Sequence, residues 1–194
     1  MVGADRRSHR PPGDVFVSFV STAPSFPIVT ARLRLRPLHP DDLEALSEVY
    51  LHPMVTRWIG PHTREDVARE IVLQLEHQTS LGWSFWAIED LDTDRVIGDC
   101  GLQPFEHRGP EVELGYDLHP DAWGRGLATE AARAVMEQAF GPLRIDRVVA
   151  VVKLDHVASQ GVLEKVGLRP AGRRLAYGEP LLLYEAHRPE GGPG

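Results

Sequence analysis

His119–Phe140 reads HPDAWGRGLATEAARAVMEQAF, and the fold turns on how this stretch is understood. Gly124 and Gly126 stand one residue apart, just before Leu127, Ala128, Ala131, Ala132, Val135, Met136 and Ala139, which recur at helical spacing. Glycine is a poor helix former, so two of them at the entry of a strong helix need a reason. The first turn of a helix carries unpaired N–H groups and a partial positive charge. A glycine entry lets phosphate oxygens come close to that backbone. Gly124-Arg125-Gly126-Leu127-Ala128-Thr129 therefore reads as a pyrophosphate cradle, with Arg125 adding charge at its rim. The competing reading is a plain tight turn. Two standard nucleotide motifs are excluded. Thr129 stands where GxGxxG needs its third glycine, and the lysine of a P-loop is missing.

Working outward, the strand candidate upstream is Pro110–Leu118, and downstream IDRVVAVVKL is a continuous apolar run suited to a strand covered on both faces. Strand, helix and strand make a βαβ unit with a parallel pair. Further upstream, Trp83–Asp90 and Arg95–Phe105 are strand candidates, joined by the turn signals LDTD and EHRGP and so antiparallel. TARLRLRPL alternates as a half-buried strand, and PDDLEALSEVY reads as a helix entered at Pro40. VTRWIGP is a short element before a break. TREDVAREIVLQLEHQ opens with Thr63 and Asp66 at near capping-box spacing. After the βαβ unit comes DHVASQGVLEKVG, a helix with Asp155 as its expected N-cap and Gly167 just past its end. LRPAGRRLAY and PLLLYEAH complete the pattern as two strands. The expected class is α+β (α/β): a mixed, mostly antiparallel sheet of six to seven strands, flanked by about four helices, with a central βαβ unit. Residues 28–188 form the single domain expected. Residues 1–27 are expected to be a mobile tail or a short added strand, and 189–194 a disordered tail.

A chain of 194 residues, 42% hydrophobic and 25% charged, suits one globular domain. Its net charge of −7 argues against nucleic acid as the main partner and suits a cationic amine or basic peptide, or simply keeps the protein in solution. The single cysteine, Cys100, excludes an internal disulfide and reads as small apolar packing. VFVSFVSTA follows a basic RRSHR, but Pro11, Pro12 and Gly13 intervene and no A-x-A site follows, so export is not expected. No run reaches the length of a membrane span. The nine histidines include no HExxH and there is no CxxC, so no metal site is expected. A cytoplasmic location follows.

The order of TARLRLRPLHPDDLEAL, VTRWIGP, VELGYDL, WGRGLATEA and VLEKVGL, from Ile28 to His187, resembles the GNAT superfamily of acyl-CoA-dependent N-acetyltransferases, and within it the ribosomal-protein N-acetyltransferase branch. The resemblance implies the GNAT fold, acetyl-CoA as cosubstrate and an amine acceptor. It also implies a homodimer as a family-level expectation. The family's pyrophosphate signature, Gln/Arg-x-x-Gly-x-Gly/Ala, falls on Asp121-Ala122-Trp123-Gly124-Arg125-Gly126. Asp121 departs from it, since a carboxylate has no donor for a phosphate. The resemblance thus assigns acetyl-CoA to Leu118, Trp123 and the run Gly124–Thr129. The family's Asn-x-x-Ser falls on His156-Val157-Ala158-Ser159, with His156 in place of the asparagine that meets the pantetheine arm. Leu163 stands where many members keep a tyrosine that protonates the leaving thiolate, and Ser159 is the branch's substitute for it.

The chemistry asks for little. A thioester is already activated, so positioning does much of the work. The attacking amine must be neutral, which calls for a carboxylate base, directly or through water. Glu113 leads the candidates, because it lies on the strand leading into the glycine turn, where the resembled family often keeps its base. Glu111 lies two residues earlier on the same strand face, and Tyr116 on the other face unless a β-bulge intervenes, as the resemblance implies. Trp58, Trp83 and Trp86 fall in segments that shape the acceptor pocket in the resembled family. The acceptor class is a cationic small molecule or a protein N-terminus. A non-catalytic acyl-CoA-binding module on the same fold is the alternative, motivated by Asp121, His156 and Leu163.

Overall fold

The computed structural model describes residues 24–189. The expected tails, up to residue 23 and from residue 190, lie outside the described residues. The element order is β1 (Ile28–Val29), β2 (Leu33–Pro37), α1 (Leu43–Tyr50), α2 (Pro53–Ile59), α3 (Arg64–Leu81), β3 (Phe85–Asp90), β4 (Arg95–Pro104), β5 (Val112–Leu118), α4 (Leu127–Phe140), β6 (Arg147–Val152), α5 (Val157–Lys165), β7 (Arg169–Ala176) and β8 (Glu179–His187). The strands form one sheet in the order β1-β2-β3-β4-β5-β6-β8-β7, antiparallel except for β5 with β6. The described sheet thus has eight strands rather than six to seven, because the two residues of β1 pair with β2. There are five described α-helices rather than four, because VTRWIGP folds with its preceding residues into α2.

The helices cover both faces. Leu33, Leu35, Trp86, Ile88, Leu102 and Leu114 meet Leu127, Ala131, Val135 and Ala139 of α4 and Leu163 of α5 in the main core. On the opposite face, Leu46 and Val49 of α1, Val55 of α2, and Val67 and Ile71 of α3 pack with Ala87. Local chemistry sets the helix ends. Thr63 and Asp66 form the capping box of α3. At the end of α5 the N–H of Gly167 reaches Glu164 O and that of Leu168 reaches Leu163 O, a Schellman closure with Gly167 at φ +101°. The start of α5 corrects the sequence reading. His156, not Asp155, occupies the N-cap position and makes no side-chain cap bond.

Two features of the sheet place the functional site. The parallel pair holds for only two positions, Val112↔Val148 and Glu113↔Val149, after which β5 and β6 part. β5 keeps its bonds to β4 without a register shift from Pro104↔Val112 to Gly98↔Leu118. The bulge expected near Tyr116 is therefore absent from the β4–β5 ladder, and the irregularity is the splay on the other edge. Beside the splay the sheet is tightly stacked across three strands. A Cβ on Gly101 would stand 2.1 Å from Ser84 O and 2.4 Å from the Phe85 Cα, which are backbone atoms that cannot swing aside. Gly101→Ala should therefore cost about 3 kcal/mol or more of stability, read as a lowered urea midpoint at unchanged slope.

Candidate active site

The splay opens a cleft of about 340 Å³. Its floor is β5 from Glu113 to Asp117, its far wall is β6 from Ala150 to Val152 with Lys153 just beyond, and α2, α5 and the β7–β8 turn close over it. Where the strands part, β5 gives up sheet pairing on that edge, so main-chain groups there become available to a ligand.

Glu113 is buried, 5% exposed, on this floor. One of its oxygens, Oε2, accepts from Gln103 Nε2 at 3.1 Å and, at very close range, from the Tyr177 hydroxyl. Burial raises the Glu113 pKa above the usual carboxylate range, although these two donors pull it back. Glu111 is elsewhere. It precedes β5 and is held by Arg147 at 2.7 Å and Arg174 at 2.6 Å, outside the cleft; burial pushes its pKa up, but those two partners outweigh it and leave the pKa below normal. It does not share the surroundings of Glu113 as the period-two argument expected.

Tyr116 reaches the cleft despite the unbroken register. Its hydroxyl lies 2.8 Å from Ser159 Oγ and donates to Ser159 O at 3.0 Å. Burial pushes the phenol far above its ordinary value, so it keeps its proton. Two residues singled out separately in the sequence thus meet, one from β5 and one from α5. Leu163, a turn further along α5, is buried beneath them.

The tryptophans divide. Trp58 lines the cleft and stacks flat on His156, centroids 3.8 Å apart and planes 3° from parallel, with Arg57 over the indole at 4.7 Å. Burial holds the His156 imidazole below its usual pKa, with Asp155 opposing and Arg57 reinforcing that shift. Trp86 is fully buried in the main core against Phe26, and Trp83 packs at the edge of the same core. Neither lines the cleft. Strand β3 begins only at Phe85, after Trp83, and the cleft receives Phe85 instead.

At the glycine turn, Gly124 and Gly126 adopt φ of +72° and +78°, a conformation that side chains disfavour. Nothing lies within 4 Å of a Cβ placed on Gly124, and only Arg32 Nη2, at 3.7 Å, near one on Gly126. The space above both is open. The first bond of the helix runs from Glu130 N–H to Gly126 O, so the N–H groups of Leu127, Ala128 and Thr129 come before it. The turn is pinned from β1 and β2. Thr30 Oγ1 and the Arg32 backbone and guanidinium all bind the Glu130 carboxylate, and Arg32 Nη1 holds Arg125 O at 2.8 Å. Arg125 itself pairs with buried Asp90 at 3.2 Å, so its charge is partly engaged. Trp123 donates its indole N–H to Leu118 O at 2.8 Å, which stabilises the turn and occupies that carbonyl. Asp121 points into solvent. An open turn with unpaired N–H groups and room over each glycine fits a pyrophosphate.

Sequence reasoning missed several cleft residues. Asp117 lies directly across the β4–β5 ladder from Asp99, and Asp99 Oδ2 accepts from Tyr50 at 3.0 Å. Asp99 Oδ1 is buried with no hydrogen-bond partner among the described residues. Burial pushes Asp117 up to about 6, and Asp99 well above its usual range with Asp117 adding to it. Two acids on facing positions of a buried ladder disfavour the ionisation of both at once. Glu70, Gln103 and Tyr177 also went unnoticed. An aspartate flanked by apolar residues, as in IGDCGL, was the one visible hint.

The Acetyltransferase (GNAT) domain profile matches residues 32–169, and the chain belongs to that family. It is 32% identical over 152 residues to the uncharacterized N-acetyltransferase YoaA of Bacillus subtilis, covering 76% of this chain and 85% of that one. The crystal structure of an acetyltransferase from Agrobacterium tumefaciens superposes with a TM-score of 0.71 at 27% identity, over 95% of this chain and 99% of that one. The fold is also that of aminoglycoside acetyltransferase AAC(6')-Ib in complex with coenzyme A, at a TM-score of 0.68 and 18% identity, over 80% and 95% of the two chains. The chain is an acetyltransferase of the GNAT family.

The acid pair carries a pH signature. Unfolded, Asp117 ionises near 3.8, but folded it keeps its proton up to about 6. The folded state binds more protons between those values, so its stability falls as pH rises through that window. Asp117→Asn keeps the shape and removes the loss. Its stability should exceed that of the wild type by about 1–2 kcal/mol at pH 8, with the difference gone by pH 4, as read from thermal melts at both pH values.

Proposed function

We propose that the enzyme transfers the acetyl group of acetyl-CoA to the primary amine of a cationic small molecule or a peptide N-terminus, by direct attack with both substrates bound. The single observation that carries this reading is Glu113, a buried carboxylate of raised pKa on the floor of the splayed cleft. The family assignment and the acid-lined cleft, with Glu70, Asp117 and Glu179 beside Glu113, support an acceptor bearing positive charge. The single cysteine supports a cytoplasmic setting. Among the described residues no helix is long and apolar enough to cross a membrane.

The N–H groups of Gly124 to Thr129 receive the pyrophosphate, and the parted edges of β5 and β6 receive the amide groups of the pantetheine arm. His156, stacked on Trp58, stands over that path. The thioester supplies an acetyl group already activated for transfer. Glu113 takes the proton of the amine, directly or through water, as the nitrogen lone pair forms the new bond to the carbonyl carbon. The carbon–sulfur bond then breaks with its electron pair on sulfur. The linked hydroxyls of Tyr116 and Ser159 donate to the thiolate, Tyr116 being protonated at every working pH. Main-chain N–H groups left unpaired at the splay stabilise the oxyanion.

Glu113→Gln keeps the hydrogen-bonding shape and removes the base, so kcat/KM should fall by about 10²–10⁴-fold while acetyl-CoA affinity holds. The assay is acetylation of a panel containing spermidine, an aminoglycoside, and short peptides with free N-termini. Full activity in this variant would exclude Glu113 as the base. Gly126→Val fills the space over the turn, and calorimetry should show acetyl-CoA affinity reduced by about 10-fold or more in a folded sample. Unchanged affinity would place the cofactor elsewhere.

A further inference from the structure

Tyr177 has no part in the reading of the sequence beyond ending a strand, yet it is placed against Glu113 by an unusual stretch of backbone. It sits at the turn between β7 and β8, with φ of +52°, followed by Gly178 at +80°. The loop after β4 faces it, and there Glu106 and His107 also adopt positive φ, +50° and +61°. Five non-glycine residues among those described have a left-handed backbone, and three of them meet here. Such a conformation costs a residue with a side chain free energy, and it persists only where surrounding contacts enforce it. The contacts are reciprocal. Tyr177 N–H donates to Glu106 Oε1 at 2.9 Å, and Glu106 N–H donates to the Tyr177 hydroxyl oxygen at 3.1 Å. That second bond uses the phenol's acceptor side and leaves its O–H for Glu113 Oε2.

Gln103 completes the arrangement from β4. Its Nε2 reaches Glu113 Oε2 at 3.1 Å and the Tyr177 oxygen at 3.3 Å, while its own Oε1 lies 3.4 Å from Gln74 Nε2. Gln74 in turn donates to Glu70 at 2.7 Å and accepts from Phe85 N–H. The amide of Gln103 is thereby oriented with its donors toward the carboxylate. Both donors take the same oxygen, and Glu113 Oε1 has no donor among the described residues.

We propose that the Tyr177 hydroxyl, carried on the β7–β8 turn, is a positioning group for Glu113, holding Oε2 so that Oε1 serves the acceptor amine or its water. The inference rests on the reading of Glu113 as the base. Tyr177 is 42% exposed, so the turn can relay what happens at the mouth of the cleft to the carboxylate inside.

A donor on a carboxylate favours its ionised form. Other charges face Glu113 from each side. Glu106 in the loop raises its proton affinity and Arg174 on β7 lowers it, while Glu70 of α3 and His107 line the same cleft and Gln103 and Val149, its strand partners, are uncharged. Tyr177→Phe leaves all of these in place, keeps the ring and the bond from Tyr177 N–H to Glu106, and removes the hydroxyl, both its donation to Glu113 and its acceptance from Glu106 N–H and Gln103. The experiment is carbon-13 NMR of protein labelled at the glutamate carboxyl carbon. Glu113 is identified as the resonance lost in Glu113→Gln. In Tyr177→Phe its titration midpoint should move up by about 1 pH unit or more. An unmoved midpoint in a variant with near-wild-type melting overturns the proposal.

The pH profile of kcat/KM with acetyl-CoA and spermidine, or the panel amine that is turned over, separates this inference from the one beneath it. The acid limb should move upward with the NMR midpoint, so that the variant loses activity on the acid side of its profile and regains it as pH is raised. A uniform loss across pH would mark Tyr177 as merely structural. A shifted midpoint with an unshifted limb would leave Tyr177 as the group that holds Glu113 and remove Glu113 from the role of base.

Discussion

Everything the site does depends on β5 and β6 parting after two paired positions. A parallel pair inside a sheet normally satisfies the main-chain groups of both strands. Here β5 stays bonded to β4 and β6 to β8 throughout, so neither strand can follow the other and the gap between them is permanent. The gap exposes main-chain donors and acceptors in an otherwise closed sheet. It also lets Tyr116 of β5 reach Ser159 of α5, and gives the buried Glu113 access to a ligand. The dense packing beside it, where Gly101 lies against Ser84 and Phe85, keeps the gap from closing by a shift of the whole sheet.

The two halves of the site use different physics. At the turn before α4, the glycines at positive φ and the free N–H groups of the first turn are main-chain features, and Arg32 and Thr30 hold them rigid through Glu130. The Asp121 side chain takes no part in this and points into solvent. In the cleft, side chains dominate, and several are acids whose burial raises their proton affinity. A buried carboxylate with fixed donors is a poised proton acceptor, while a cross-strand pair such as Asp99 and Asp117 disfavours the ionisation of both its members at once. The acidic net charge reported by composition is thus partly concentrated where a positively charged acceptor would enter.

Much of the fold was legible in the chain itself. Helical spacing after Gly126, the capping pair Thr63 and Asp66, the glycine ending α5 and the apolar run of β6 are local patterns, and each appears in the structure as read. The errors came where a tertiary neighbour overrides a local rule. Glu111 follows period two with Glu113, but Arg147 and Arg174 engage it outside the cleft. The resemblance set Trp83 and Trp86 beside Trp58 at the acceptor pocket, whereas Trp83 precedes the strand and Trp86 is sealed in the core. Asp155 looked like a helix cap, yet the chain turns one residue later at His156, which stacks on Trp58 from a helix almost a hundred residues away.

By itself the sequence determined the βαβ unit and the glycine entry to α4, because helix periodicity, turn chemistry and strand order are written in residues close along the chain, and it placed Glu113 on the strand that leads into that turn. Only the tertiary structure decided what surrounds that carboxylate. Gln103, Tyr177, Asp99 and Asp117 come from different strands or from distant positions on them, and a sequence carries no record of which residues a sheet register will set opposite one another. Proton affinity depends on burial and on donors within about 3 Å, and both are created when strands 10 to 64 residues apart are brought together.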